Sequence, residues 1–285
     1  MNPKTVSRRI FLQSSAGFLA ALPLGFAALA GGNPKKNRRI PIGLQLYSVR
    51  DGCKKDFEKT MAAVAKMGYQ GVEFAGYYDR SAKQIRALLK ANGLQCCGTH
   101  TGLDTLLGEA FPKTVEFNRT IQNPYLIVPW LPEERVKSKA AWLRTAALFN
   151  ELAERLKPSG LRLGYHSHAY DFKSTEGETP WNLFAGNTGR DIILQIDTGN
   201  ALSTGSDPVP FLKQHPGRTV TVHLKEYSAT RPDAIIGEGD IRWRDVFGVC
   251  ESTGGTEWYI VEDEVTALTL QRVKQDLDAL RKMDK

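Results

Sequence analysis

The 285-residue sequence has only four cysteines, Cys53, Cys96, Cys97 and Cys250, and no Cys-x-x-Cys pair. Their spacing gives no support for a structural zinc site or a thioredoxin-like redox motif. Cys96 and Cys97 adjoin inside an apolar, strand-like run and read as buried free thiols rather than a disulfide. Acidic residues are missing from the first 39 positions. Seven of the 38 basic residues lie there (Lys4, Arg8, Arg9, Lys35, Lys36, Arg38 and Arg39), leaving 31 Lys and Arg against 31 Asp and Glu. The net charge of +7 therefore belongs to the N-terminus. The rest of the chain has no basic excess to attract nucleic acid. The apolar run over residues 18–30 contains Pro23 and Gly25 and is short for a bilayer span, so no permanent membrane anchor is expected. No linker, low-complexity tract or shift in composition divides the chain after residue 39.

The stretch Ser7-Arg8-Arg9-Ile10-Phe11-Leu12 resembles a twin-arginine export signal. The apolar run follows it and closes on Ala28-Leu29-Ala30, a small-residue cleavage pattern. Residues 1–30 are expected to be a signal peptide, 31–39 a flexible basic leader and 40–285 the folded domain. The resemblance implies a periplasmic or otherwise exported protein, moved in its folded state, often with its cofactor loaded.

From Ile40 onward, short β-rich runs alternate with helical patterns. Strands are expected at 40–47, 70–74, 94–99, 125–129, 161–166, 191–197, 219–225 and 257–262. Helices are expected at 57–67, 81–90, 115–121, 138–156, 181–185, 208–214, 241–251 and 267–283. Eight strand–helix units in about 245 residues point to an α/β fold, a single-domain (β/α)₈ barrel; an open doubly wound sheet is the alternative.

In a barrel, alternate strand residues face the axis and chemistry gathers at the strands' C-terminal ends. The fifth run, Leu161 to Phe172, sends His166 and His168 to one side. The sixth places Gln195 and Asp197 together; the seventh Thr221, His223 and Lys225; the eighth Ile260 and Glu262. The second turns Glu73 inward, the first offers Gln45 and Tyr47, and the third ends in Thr99-His100. His166, Asp197, His223 and Glu262 thus end four consecutive strands. Two imidazoles and two carboxylates suit a divalent cation such as Mn²⁺, Zn²⁺ or Co²⁺. Spacing alone leaves open which of His166 and His168 holds it. His215, preceding the seventh strand, belongs to the opposite rim and reads as structural.

Taken together, Gly43-Leu-Gln-Leu-Tyr-Ser, Gly71-Val-Glu-Phe-Ala-Gly, Gly164-Tyr-His-Ser-His, Asp197-Thr-Gly-Asn, Val222-His-Leu-Lys, Val261-Glu-Asp and Gly237-Glu-Gly-Asp-Ile-Arg-Trp243 resemble the xylose-isomerase-like TIM-barrel family of sugar phosphate isomerases and epimerases. The resemblance runs from about Ile40 to Lys285. The family's metal set is commonly Glu, Asp, His and Glu from strands five to eight. Here His166 stands at the strand-five position, so the resemblance gives it to the metal and leaves His168 for acid/base work. It also implies proton abstraction beside a sugar carbonyl, with Glu262 or His168 moving the proton, Lys225 stabilising anionic oxygen, and Glu73 among the catalytic groups. Gln45, Tyr47, His100, Glu238 and Trp243 would orient the sugar, although Trp243 could equally pack beneath a helix. The expected activity is isomerase or epimerase. A lyase acting on 3-keto-sugars or 3-keto-glycosides is the first alternative, and a non-catalytic periplasmic sugar-binding protein the second. An endonuclease-IV-like DNA enzyme shares the fold but fits poorly with a neutral, exported barrel. The expected partner is a small sugar, and the expected state a monomer or homodimer.

Overall fold

The computed structural model describes residues 39–174, 177–264 and 269–285. The expected signal peptide and nearly all of the leader lie outside them. Eight parallel strands appear: β1 (Ile42–Gln45), β2 (Gly71–Phe74), β3 (Gln95–His100), β4 (Tyr125–Val128), β5 (Arg162–His166), β6 (Ile193–Gln195), β7 (Thr221–Leu224) and β8 (Trp258–Val261). Each neighbours the next in sequence, and β1 also pairs with β8. The ring closes at the β6–β7 seam through a single bridge, Asp197–His223. There the amide of Leu194 donates to Arg218 O, and that of His223 to Ile196 O. The fold is the expected (β/α)₈ barrel.

Period-two alternation sorts the side chains into two cores. Outward residues such as Leu44, Val72, Leu126, Leu163, Leu194, Val222 and Val261 pack under the helices. Inward residues Cys97, Tyr125, Ile127, Ile193, Trp258 and Ile260 fill the lower barrel. Val220 joins this inner group; it precedes β7, where the pleat has not yet begun. All four cysteines are free and buried, Cys96 and Cys97 as expected.

The helices start and stop where capping chemistry dictates. Asp56 caps Phe57–Met67, and Gly68, at φ 99°, ends it. Ser81 and Gln84 form a capping box on Ala82–Asn92. Helix Pro208–Gln214 has the expected bounds. Short helices at Arg50–Lys55, Glu133–Val136 and Thr198–Leu202 were not expected. No helix among the described residues is long and apolar enough to cross a membrane.

One irregularity positions the site. In the β2–β3 pairing, Val72 sits opposite Cys96 but Glu73 opposite Gly98, so Cys97 is an extra residue. This β-bulge changes which residues face inward. Cys97 packs in the inner core, the Thr99 hydroxyl turns outward to Asn118, and His100 turns into the barrel. Gly98 is required there, because a Cβ would lie 2.5 Å from Glu73 Oε1.

Candidate active site

The upper barrel is polar in two tiers. The lower tier holds Gln45, Glu73, Gln195 and Thr221, all fully buried. Glu73 Oε2 accepts from Gln45 Nε2 at 2.8 Å and from His223 Nε2 at 2.6 Å, and lies 3.1 Å from His100 Nε2. Its Oε1 accepts from Gln195 Nε2 at 2.9 Å. A carboxylate only accepts, so the Gln195 amide must face it and point its Oε1 the other way. That oxygen is 2.9 Å from His166 Nδ1, which is therefore the protonated nitrogen. His166 Nε2 is left facing Glu262 Oε2 at 3.9 Å.

The upper tier is the cluster itself. His166, Asp197, His223 and Glu262 are all buried, and one potential ligand atom from each lies within 4.8 Å of the others. His223 donates through Nδ1 to Glu262 Oε2 at 2.8 Å while Nε2 holds Glu73. Burial disfavours its charge, but Glu73 and Glu262 outweigh burial and raise its pKa to about 10. Burial likewise disfavours ionised Glu262, yet His223 and Lys225 bring it well below the usual range. His166 is held neutral by burial and by the neighbouring His223 and His100.

The Asp197-Thr-Gly-Asn segment shows why this sequence builds a ligand position. Asp197 caps the helix Thr198–Leu202, its Oδ1 accepting from Asn200 N at 2.7 Å. The Thr198 hydroxyl donates to Lys225 O at 2.7 Å, tying β6 to β7. Gly199 lets β7 pass close: a Cβ would meet Lys225 Cγ at 2.8 Å and Glu226 O at 2.9 Å. Asn200 reaches back to Ser167 O at 3.0 Å. Asp197 Oδ2 is thereby aimed into the cluster, buried and without a hydrogen-bond partner among the described residues. Burial, opposed by Lys225, raises the Asp197 pKa to about 7. Two carboxylates, a histidine held as a cation between acids and an orphaned oxygen mark a site short of positive charge. These residues fit a divalent ion.

Two donors flank the cluster. Lys225 Nζ is 3.9 Å from Asp197 Oδ2 and 3.3 Å from Asn200 Oδ1, and also pairs with Glu264. Burial works against its charge, but Asp197, Glu262 and Glu264 raise its pKa. The His168 ring stands edge-on to His166, centroids 5.0 Å apart, and stacks on Tyr170 at 5.6 Å. Its buried Nδ1 has no hydrogen-bond partner among the described residues, and burial lowers its pKa. A cavity of about 360 Å³ opens beside Lys225 and Glu262, with Arg231 and Asp276 also in its wall.

Other expected residues fall elsewhere. Gln45 and Glu73 lie beneath the cluster rather than at its surface. His100 borders it, forming a second close group with His166 and His223. Tyr47 is exposed, with the Arg50 guanidinium 4.2 Å above its ring. Glu238 is exposed and paired with Arg231. Trp243 corrects the expectation of a sugar-orienting ring: it is 6% exposed, stacks on Phe247, and its Nε1 donates to Glu226 Oε2 at 2.7 Å. His215 is on the chain before β7, in its expected place. Gln195, expected on the inner side with Asp197 but given no role, orients a ligand, as do Ser167 and Asn200, which were not singled out; the only sequence signal of those two is a place within three residues of a ligand.

The sequence pattern described as xylose isomerase-like TIM barrel matches residues 61–283. The chain belongs to this family. Inosose dehydratase from Clostridium tetani (strain Massachusetts / E88) is 23% identical over 250 residues, covering 75% of this chain and 84% of that protein. Among solved structures, a sugar phosphate isomerase/epimerase from Parabacteroides distasonis ATCC 8503 aligns with a TM-score of 0.73 at 23% identity, over 86% of this chain and 98% of that one. An L-ribulose 3-epimerase aligns at 0.65 and 16%, over 86% and 97%. At such identities the structural likeness speaks for the fold alone.

Proposed function

We propose that this protein is a metal-dependent enzyme that removes the proton beside a keto-sugar's carbonyl and expels an oxygen substituent from the next carbon. The observation that carries this reading is the cluster of His166, Asp197, His223 and Glu262, with Asp197 Oδ2 orphaned inside it and a base and a cation at its edge. Those four residues would hold the ion. When bound, a divalent cation would supply Lewis acidity to the carbonyl and offset charge on its oxygen. His168, kept neutral by burial, takes the proton. The electron pair left on carbon moves into the enediolate, and the carbon–oxygen bond on the neighbouring carbon breaks. The proton held by His168 is then available to the departing oxygen. Lys225 supplies fixed positive charge beside it. Glu73 touches no substrate in this reading and acts as a positioning residue through His223.

Elimination is preferred because the curated relative above is named a dehydratase. Isomerisation or epimerisation is the second reading; it uses the same enediolate with the proton returned to carbon. Metal-loaded protein incubated with keto-sugars and keto-glycosides in D₂O, followed by NMR, separates them. An enone and a free alcohol are expected. Deuterium exchange with the leaving group retained would favour the epimerase, and no change in any compound would sink both.

We also propose that the protein is exported through the twin-arginine route, on the strength of Arg8, Arg9 and the apolar run behind them. Replacing both arginines by lysine is expected to leave precursor inside the cell. Unimpaired export of that variant, read by fractionation, would remove the assignment.

A further inference from the structure

Large aromatic side chains usually bury most of their surface. Among the described residues, the exposed large hydrophobic side chains are Tyr47 (41%), Trp130 (61%), Leu143 (39%) and Tyr170 (38%). The three aromatics share a place in the fold. Tyr47 follows β1, Trp130 follows β4 and Tyr170 follows β5, each at the C-terminal end of its strand. They therefore stand on the face that carries the histidine–carboxylate cluster.

Tyr170 and Trp130 follow adjacent strands, and the Tyr170 ring is held in place. The Tyr170 ring lies parallel to His168, 2° from coplanar, and its hydroxyl is 3.3 Å from that of Tyr165. His168 in turn contacts His166, so two ring-to-ring steps of 5.6 and 5.0 Å connect the rim to the cluster. Trp130 follows Pro129 and precedes Leu131, which is buried, and Pro132. The prolines restrict the backbone and Leu131 anchors it, so the indole is presented outward at little further cost in order.

Tyr170 lies one ring step, 5.6 Å, from His168, and Trp130 follows the adjacent strand on the same end of the barrel; exposed aromatics at that end suit a second ring. We propose that the mouth carries a subsite, centred on Trp130 and Tyr170, for a ring-bearing aglycone attached to the reacting sugar. The substrate class is then a keto-glycoside rather than a free keto-monosaccharide. This rests on the keto-sugar reading above, but its test does not depend on turnover.

Titration of the protein with phenyl β-glucoside, cellobiose and methyl β-glucoside, followed by tryptophan fluorescence and calorimetry, compares ligands that differ beyond one glucose ring. Tighter binding of the phenyl glucoside or cellobiose than of the methyl glucoside is expected, by about tenfold. Preference for the phenyl compound identifies an aryl aglycone, and preference for cellobiose a second sugar. Trp130→Ala is expected to abolish the preference and Trp130→Phe to keep most of it. Trp130 is mostly exposed, so neither change threatens the fold. Equal affinity for all three ligands, no binding of any, or a preference that survives Trp130→Ala would overturn the subsite. So would sedimentation showing a homodimer that Trp130→Ala dissociates, since a second copy would then cover the indole. Failure to turn over any keto-sugar would sink the enzymatic reading and leave these binding results standing.

Discussion

Histidine supplies only five residues of the chain, yet His100, His166, His168 and His223 meet at one end of the barrel. What separates them is what each ring nitrogen faces. His166 has one nitrogen held by Gln195 and the other aimed into the cluster. His168 lies nearer the rim with an unpartnered nitrogen. His166→Ala is expected to lower both bound metal and turnover. His168→Ala is expected to keep the metal and lose about 10²–10⁴-fold in turnover, the usual weight of a general acid or base. Glu73→Gln is expected to keep the fold and weaken metal affinity about 10–100-fold, as loss of a ligand's outer hydrogen bond does. Metal analysis by mass spectrometry alongside kinetics reads all three; metal lost with His168 and retained without His166 would swap their roles. Alternation along the strands told which side chains enter the barrel, but not how deep they sit. That is why Gln45 and Glu73 were expected at the substrate and lie a tier beneath. Trp243 failed for a different reason: only the folded loop brings Glu226 to its Nε1.

At the scale of elements, the strand order and most helices were legible because apolar periodicity changes between two and 3.6 residues. Strand ends were overestimated, since alternation continues into loops that no longer pair; β6 keeps only Ile193–Gln195 of the expected 191–197. The short helices gave no sign because one turn is too brief to show a period. The β3 bulge was also invisible, being a property of register between strands. Gly98→Ala tests its importance. The added methyl would press on the buried Glu73 carboxylate, which four donors hold in place, and is expected to cost about 1–3 kcal/mol. Thermal unfolding checks the stability, and metal titration should show weaker binding; an unchanged protein in both would mean the bulge tolerates a side chain. A second contact, between helix Leu270–Lys282 and the loop after β7, responds to pH. Asp276 accepts from Ile236 N through Oδ1, while its buried Oδ2 has no hydrogen-bond partner among the described residues. Burial raises its pKa from 3.8 to about 7. The stability gained from that raised pKa is complete below pH 3.8 and is lost as pH rises through about 7. Asp276→Asn is neutral throughout. It is expected to match wild type near pH 4 and to exceed it above pH 7 by about 1–3 kcal/mol, several degrees in Tm. A variant less stable than wild type at pH 8 would mean that the ionised carboxylate has a stabilising partner.

For the molecule as a whole, the ring of strands is weakest where it closes. Seven of the eight junctions are paired ladders, but β6 and β7 share only the Asp197–His223 bridge and neighbouring amide bonds. Those two residues are also proposed ligands, and the other two, His166 and Glu262, stand at the ends of β5 and β8. An ion held by all four would join β5 to β8 across the seam and relieve the charge imbalance recorded in the raised pKa values of Asp197 and His223. Anything that binds the folded state alone stabilises it, by about 2.7 kcal/mol when the ligand is at 100 times its dissociation constant. For a barrel of this size that corresponds to a rise in Tm of roughly 5–10 °C. Mn²⁺, Co²⁺ or Zn²⁺ added to metal-free protein is expected to give such a rise, saturating at one equivalent in calorimetry. Asp197→Ala should remove the rise while the unfolding transition stays cooperative, because the outward-facing core is untouched. Hydrogen exchange should locate the added protection at β6 and β7. A rise that persists in Asp197→Ala, or protection spread evenly around the ring, would place the ion elsewhere and leave the seam to close by its own hydrogen bonds.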